Sequence, residues 1–159
     1  MNNNLTISQS GVDLIKFFEG KHDGNLKTAI WEPKKDPVGY WTLGYGARYD
    51  INNKLVTAKS TPITAEMAET LLKRDIKIAE YYIKKWVKIP LNQNQYDALC
   101  SFVFNIGCGQ FQKSRLLKAI KNGANFVQKT HFMGFVKANG RVLPGLVTRR
   151  STEYSLYIK

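Results

Sequence analysis

Glu19, Asp36 and Thr42 stand out for the chemistry that their residue types and settings permit. Glu19 ends a helical pattern: Phe17-Phe18-Glu19 runs straight into Gly20, and glycine just past the last periodic residue is the usual helix stop. An acid there opposes the helix dipole, which prefers cations at its C-terminal end. The same negative end, beside Phe17 and Phe18, favours the proton-holding form that a general acid needs. Asp36 opens Asp36-Pro37-Val38-Gly39, an order that fits a type I turn. A turn-fixed carboxylate can bond its own backbone and still be well positioned for chemistry. Behind it, Tyr40-Trp41-Thr42-Leu43-Gly44-Tyr45-Gly46 reads as a returning strand that places a hydroxyl at Thr42 and is thinned by glycine at its end. Two carboxyls held across a cleft are what glycoside hydrolysis requires. One donates a proton to the leaving oxygen, and the other handles water or the cation-like centre. Asp23 and Glu32 lie in the same stretch and compete with Asp36 for the second role.

The elements that must hold these residues follow from periodicity. Ser8 or Ser10 caps a helix with Val12, Ile15 and Phe18 on one face, ending at Glu19. Residues 1–7 are either a loose tail or a first docking segment. From Gly20 to about Ser60, short strands and turns (Gly24-Asn25, the Asp-Pro turn, Asp50-Ile51-Asn52-Asn53) predict a small hairpin-based sheet lobe. Thr64 is an N-cap with Glu66 and Glu69 behind it. Leu72, Ile76, Ala79, Ile83 and Trp86 continue as one face of a long helix to about Lys88, before Pro90. Asn92 or Asn94 starts a helix to Gly107 that is apolar on most sides. Further helices are expected over about Ser114–Lys121, Phe126–Val136 and Gly145–Tyr157, with Gly140 in a loop. The class is α+β, with a sheet lobe of about 20–60 and a helical lobe of about 64–159 plus an N-terminal helix of about 8–19. These form one domain over residues 1–159, the size a single core supports.

The hydrophobic share of 43% and charged share of 23% are those of an ordinary globule. The balance of 24 Lys+Arg against 12 Asp+Glu is not: net charge is +12, with an isoelectric point near 9.7. Such a field draws the protein to polyanions, whether nucleic acid, anionic lipid or the acidic polymers of a bacterial envelope. No apolar run approaches the ~20 residues of a membrane helix, so no stable membrane insertion is expected. The start, Met1-Asn2-Asn3-Asn4, lacks the layout of a signal peptide. Cys100 and Cys108 would lie ~12 Å apart on one helix, too far for a disulfide. With two histidines (His22, His131) and no Cys-x-x-Cys, no metal-ligand cluster is expected.

The order Glu-Gly, then Asp-x-x-Gly-x-x-Thr-Leu-Gly-Tyr-Gly, resembles the phage-type lysozymes, the endolysins. The resemblance continues through Pro62-Ile63-Thr64, Gln95-Tyr96-Asp97-Ala98-Leu99, Ser101-Phe102-Val103-Phe104-Asn105-Ile106-Gly107 and Leu143-Pro144-Gly145-Leu146-Val147-Thr148-Arg149-Arg150, covering residues 7 to 157. It implies a lysozyme-like fold and a muramidase without cofactor, which cuts the β-1,4 bond between N-acetylmuramic acid and N-acetylglucosamine with inversion. Glu19 would be the proton donor, and Thr42 would hold the attacking water. The family's aspartate stands six positions before its threonine, as Asp36 does before Thr42, which favours Asp36 over its competitors. Tyr45, Phe104 and Ser114 match cleft-lining positions, although Phe104 could equally be core. Arg48 either meets the glycan or stays solvated. Arg149-Arg150, a nucleic-acid cluster if read alone, falls in the family's structural C-terminal helix. Trp31, Trp41 and Trp86 read as core, Trp41 least securely.

Two departures matter: the segment between Glu19 and Asp36 is longer than usual, and Ala47 stands where many members have histidine. The implied partner is bacterial peptidoglycan, with no nucleic acid. The implied protein is a monomer held in the host cytoplasm until lysis.

Overall fold

The computed structural model describes residues 1–20 and 30–159. Asp23, His22 and the Gly24-Asn25 turn lie outside the described residues. The chain divides into two compact units, residues 16–75 and residues 1–15 with 76–159. The α+β class read from the sequence is observed.

The first unit takes in the last turn of helix α1 (Gln9–Glu19), the hairpin of β1 (Lys34–Lys35) and β2 (Trp41–Thr42), and the first half of α2 (Ala65–Trp86). Strand β2 is much shorter than the sequence pattern predicts. Leu43 and Ala47 exchange both backbone hydrogen bonds at 2.9 Å, so Gly44-Tyr45-Gly46 is a tight turn and not the end of a strand. Gly44 sits at φ +57°, and a β-carbon on it would stand 2.9 Å from the Ala68 β-carbon, so only glycine lets this turn lie on α2. Trp31, bridged to Ile63, packs its ring on Tyr45 with centroids 4.8 Å apart. Leu43, Val56, Ala68, Leu71 and Leu72 complete the buried set. Asp50 Oδ1 accepts from the amides of Asn52 (2.8 Å) and Lys54 (2.9 Å), forming the expected turn with Asn53 at φ 59°. Arg74 then ties that loop to α2 by donating to the carbonyls of Asp50 (2.7 Å) and Tyr49 (2.9 Å).

The second unit is helical. It contains α3 (Gln93–Ile106), α4 (Cys108–Lys113), α5 (Arg115–Lys121), a 3-10 turn at Ala124–Phe126, α6 (Lys129–Met133) and α7 (Pro144–Tyr157). Asn92 begins α3 with a capping box, accepting from the Gln95 amide and receiving the Gln95 side chain on its own amide. Every residue from Tyr96 to Val103 is buried, so α3 is the axis of this core, and α7 packs along it. Phe102 meets Phe132 edge-on at 5.2 Å and Phe111 at 6.4 Å.

The first residues dock: Asn2 donates to the carbonyls of Val87 (3.2 Å) and Ile89 (2.9 Å) and accepts from the Leu91 amide (3.1 Å). Where one helix was expected over Phe126–Val136, only Lys129–Met133 is α-helical. Gly123, at φ +126°, and Val127, which is extended, confine Ala124–Phe126 to a single tight turn. Gly140 belongs to a second hairpin, β3 (Lys137–Ala138) with β4 (Arg141–Val142), turned by Asn139 (φ 50°) and Gly140 (φ 75°). Cys100 and Cys108 are both free thiols.

Candidate active site

The sheet-containing unit holds Glu19, Asp36, Thr42, Tyr45 and Arg48. Phe104 and Ser114 belong to the helical unit.

Asp36 stands just before a three-residue hairpin loop, Pro37-Val38-Gly39, which its amide closes by donating to the Tyr40 carbonyl at 2.9 Å, and Gly39 sits at φ 105°. Its side-chain oxygen Oδ1 accepts from three successive amides, those of Val38 (2.9 Å), Gly39 (2.8 Å) and Tyr40 (2.9 Å). Among the described residues no hydrogen bond goes to Oδ2. One carboxylate oxygen therefore builds the turn, and the other takes no part in it. The alternative Glu32 is an exposed residue just before the hairpin.

Thr42 pairs with Lys34 across the hairpin, and its Oγ1 donates to the Lys34 carbonyl at 3.2 Å. A hydroxyl has one proton to give. With that proton committed, Thr42 can only accept, which is how it would hold a water by one of the water's hydrogens. The side chain is 9% exposed, so β-strand packing and hydrogen bonding both fix its rotamer.

Glu19 is partly buried at the end of α1, with Phe17 and Phe18 in an edge-to-face pair beside it at 5.1 Å. The Glu19 carboxylate approaches the Gly44-Tyr45-Gly46 turn: a β-carbon on Gly46 would stand 3.4 Å from Oε2. That turn thus presents bare backbone to the acid.

Tyr45 is 7% exposed and packs on Trp31. Burial raises the pKa of its phenol, the nearby Lys16 ammonium opposes this, and Glu69 adds to it. Lys16 and Glu69 form an ion pair, with the Lys16 ammonium 5.8 Å from the centre of the Tyr45 ring. Arg48 is exposed, but it is not loose: its guanidinium carbon lies 3.8 Å from the centre of the Tyr40 ring. Tyr40 is 48% exposed, and its place under Arg48 could not be read from the sequence. Trp41 is partly exposed with the Lys35 ammonium 5.4 Å from its ring, while Trp31 is buried as read.

In the helical unit, Phe104 is partly exposed and stands outside the core that Phe102 and Val103 enter. Ser114 is buried. Its hydroxyl accepts from the Leu117 amide (3.0 Å) and donates to the Phe111 carbonyl (2.7 Å), so it joins α4 to α5 as a cap. Arg149 and Arg150 are buried on α7 around Glu153, with Nε atoms 3.1 and 3.2 Å from the two carboxylate oxygens. Ser101 donates to the same carboxylate at 2.7 Å, and Arg150 lies 4.8 Å from the centre of the Phe102 ring. A buried, paired arginine cannot double as a surface phosphate contact. Among the described residues no group of three or more His, Cys, Asp or Glu could hold a metal ion.

One unit built mainly of helices and one that carries a carboxylate at a helix end and another in a hairpin loop are the parts of a lysozyme-like α+β protein. Comparison with known proteins gives the family. Residues 26–153 match the phage lysozyme family model, and the chain belongs to that family. It is 40% identical over 157 residues to an endolysin of Acyrthosiphon pisum secondary endosymbiont phage 1, covering 96% of this chain and 98% of that one. Among solved structures it is similar to the endolysin from Escherichia coli O157:H7 phage FAHEc1 (TM-score 0.79, 30% identity, 99% of this chain and 96% of that one). It is also similar to the muramidase domain of SpmX from Asticaccaulis excentricus (TM-score 0.75, 32% identity, 97% of this chain and 98% of that one).

Proposed function

We propose that this chain is a phage endolysin acting as a muramidase, which hydrolyses the β-1,4 bond between N-acetylmuramic acid and N-acetylglucosamine in bacterial peptidoglycan. Glu19 protonates the leaving oxygen. Asp36, through the oxygen its turn does not use, faces the developing positive charge and takes a proton from the attacking water, which Thr42 holds as an acceptor. Water attacking opposite the leaving group inverts the anomeric carbon, and that arrangement needs the two carboxyls about 6.5–9.5 Å apart. Arg48 on Tyr40 and the partly exposed Phe104 contact the glycan. Tyr45 and Ser114 act through position, one within the turn that faces Glu19 and the other at the α4–α5 junction. The protein works as a single-domain monomer, without cofactor, and stays in the host cytoplasm until lysis.

The observation that carries this reading is the division of labour on Asp36: three amides on Oδ1, and none of the described donors on Oδ2. Family membership supports the reaction class. Mass analysis of fragments released from purified peptidoglycan tests it, because reducing muramic-acid ends identify the bond cut. Proton NMR of the first products reports the anomer. Reducing glucosamine ends would overturn the proposed bond, and a retained anomer the proposed route.

A further inference from the structure

The helical unit carries an open groove of about 310 Å³ lined by Arg115, Lys118, Ala119, Asn122, Phe126 and His131. One wall is a single face of α5, since Arg115, Lys118, Ala119 and the C-cap Asn122 recur at helical spacing. Leu116, Leu117, Ala119 and Ile120 pack α5 into the core, while Arg115 and Lys118 of this face stay exposed. The other wall begins with Phe126, 64% exposed. Its ring lies close over Gly123: a β-carbon there would stand 3.2 Å from the ring, and φ at this position is +126°. Glycine at 123 thus seats the ring by one edge and leaves the rest open. His131 accepts the Gln128 amide on Nδ1 at 2.9 Å, which leaves Nε2 to carry the proton and donate.

The charge setting is one-sided. From residue 98 to residue 152 the sequence contains no Asp or Glu, while Lys and Arg recur throughout. Among the described residues neither Arg115 nor Lys118 has an ion-pair partner. A basic face alone would be an ordinary solvated surface. An exposed, seated aromatic ring that lines one groove with two cations and two polar donors is not needed for solubility.

We propose that this groove binds an anionic saccharide. The Phe126 ring takes the apolar face of a sugar ring, Arg115 and Lys118 hold its carboxylate or phosphate, and Asn122 and the Nε2–H of His131 bond its hydroxyls. The site deepens the wall-directed reading above by adding a hold on acidic envelope polymers. It does not involve Glu19, Asp36 or Thr42, and its test needs no hydrolysis.

Calorimetric titration of the full chain, with the ring signals of Phe126 and His131 followed by NMR, uses four probes: a hyaluronate hexasaccharide, a phosphorylated mannose pentasaccharide, poly-glutamate and a thymidylate oligomer. At least one acidic saccharide shifts both rings, and which one it is identifies the anion as carboxylate or phosphate. Phe126→Ala weakens that binding about tenfold, the loss expected for one stacked ring. Arg115→Gln with Lys118→Gln weakens it further, and binding of poly-glutamate does not depend on Phe126. The proposal is overturned if neither saccharide moves the two rings, if Phe126→Ala binds as the parent does, or if only the thymidylate oligomer depends on Phe126.

Discussion

Oε2 of Glu19 lies 3.4 Å from where a β-carbon on Gly46 would stand, and Gly46 holds φ at +94°. Any side chain at 46 therefore forces a strained backbone and presses on the carboxylate. Gly46→Ala should destabilise the fold by roughly 1–2 kcal/mol. It should also lower turnover by about 10²-fold through displacement of the acid. Glu19→Gln should lower turnover by roughly 10²–10⁴ while leaving stability unchanged or slightly raised, because a charge opposing the helix dipole is lost. Thermal unfolding and wall clearance measured on both variants separate the two effects. A Glu19→Gln variant that clears walls at the parent rate would remove the assigned proton donor.

The two oxygens of Asp36 allow charge and turn to be tested apart. Asp36→Asn keeps an oxygen for the amides of Val38, Gly39 and Tyr40, so it should fold as the parent does yet lose most activity. Asp36→Ala removes the acceptor as well and should cost about 1 kcal/mol per lost hydrogen bond in addition. Glu32→Gln and Asp23→Asn should be mild. A severe Glu32→Gln would transfer the second role to that residue.

Thr42 should respond to its hydroxyl and not to its shape. Thr42→Val preserves the β-branch in a buried strand position but cannot accept from water, and turnover should fall about 10–100-fold. Thr42→Ser should stay within a few-fold of the parent. Equal loss in both variants, read from kcat on a soluble glycan, would assign Thr42 to packing.

How much of this was legible in the sequence depends on where each residue's partners lie. Local signals read well: Ser8, Thr64 and Asn92 begin helices where their side chains accept from the first turn. The Asp-Pro-Val-Gly turn is present with the bonding its order implies. Strand β2 was overread because Leu43 and Ala47 pair across glycines at positive φ, a closure that residue propensity does not register. The β3–β4 hairpin was missed although Asn139-Gly140 is its usual turn, because strands of two residues show no alternation. Long-range partners were invisible: nothing local in Met1-Asn2 tells of Val87 and Leu91, and nothing in Arg48 tells of Tyr40. The burial of Arg149 and Arg150 became visible only with Glu153 and Ser101 around them.

Alkaline stability follows from a buried phenol. Burial pushes the Tyr157 pKa up to about 12 from its ordinary 10.0, so the folded state holds that proton where the unfolded chain releases it. The contribution is complete below pH 10 and is lost as pH rises towards 12. Cys100 and Tyr96 are pushed the same way, chiefly by burial. The Tyr157 hydroxyl has no hydrogen-bond partner among the described residues, so Tyr157→Phe should be neutral or stabilising at pH 7. It should also hold more of its stability above pH 10. Denaturant midpoints across the alkaline range check both, and a Phe variant that declines in parallel with the parent would exclude Tyr157 as a source of the loss.

The net charge of +12 makes the final expectation one about salt. Attraction to an acidic envelope acts over distance and needs no particular contact, whereas bond cleavage depends on groups in van der Waals range. The Debye length is about 8 Å at 0.15 M salt and about 3 Å at 1 M, so added salt should remove recruitment and leave the chemistry. Clearance of whole walls should fall steeply through weaker binding, while cleavage of a short soluble glycan changes little. Lys34 and Lys35 are exposed on β1 and enter the hairpin through their backbone, so replacing both with Gln should leave the pairing intact. Wall binding should then drop more than fragment cleavage slows. Measuring both substrates across one salt series decides it: equal salt dependence for wall and fragment would place the effect of the charge in the active site and not in recruitment.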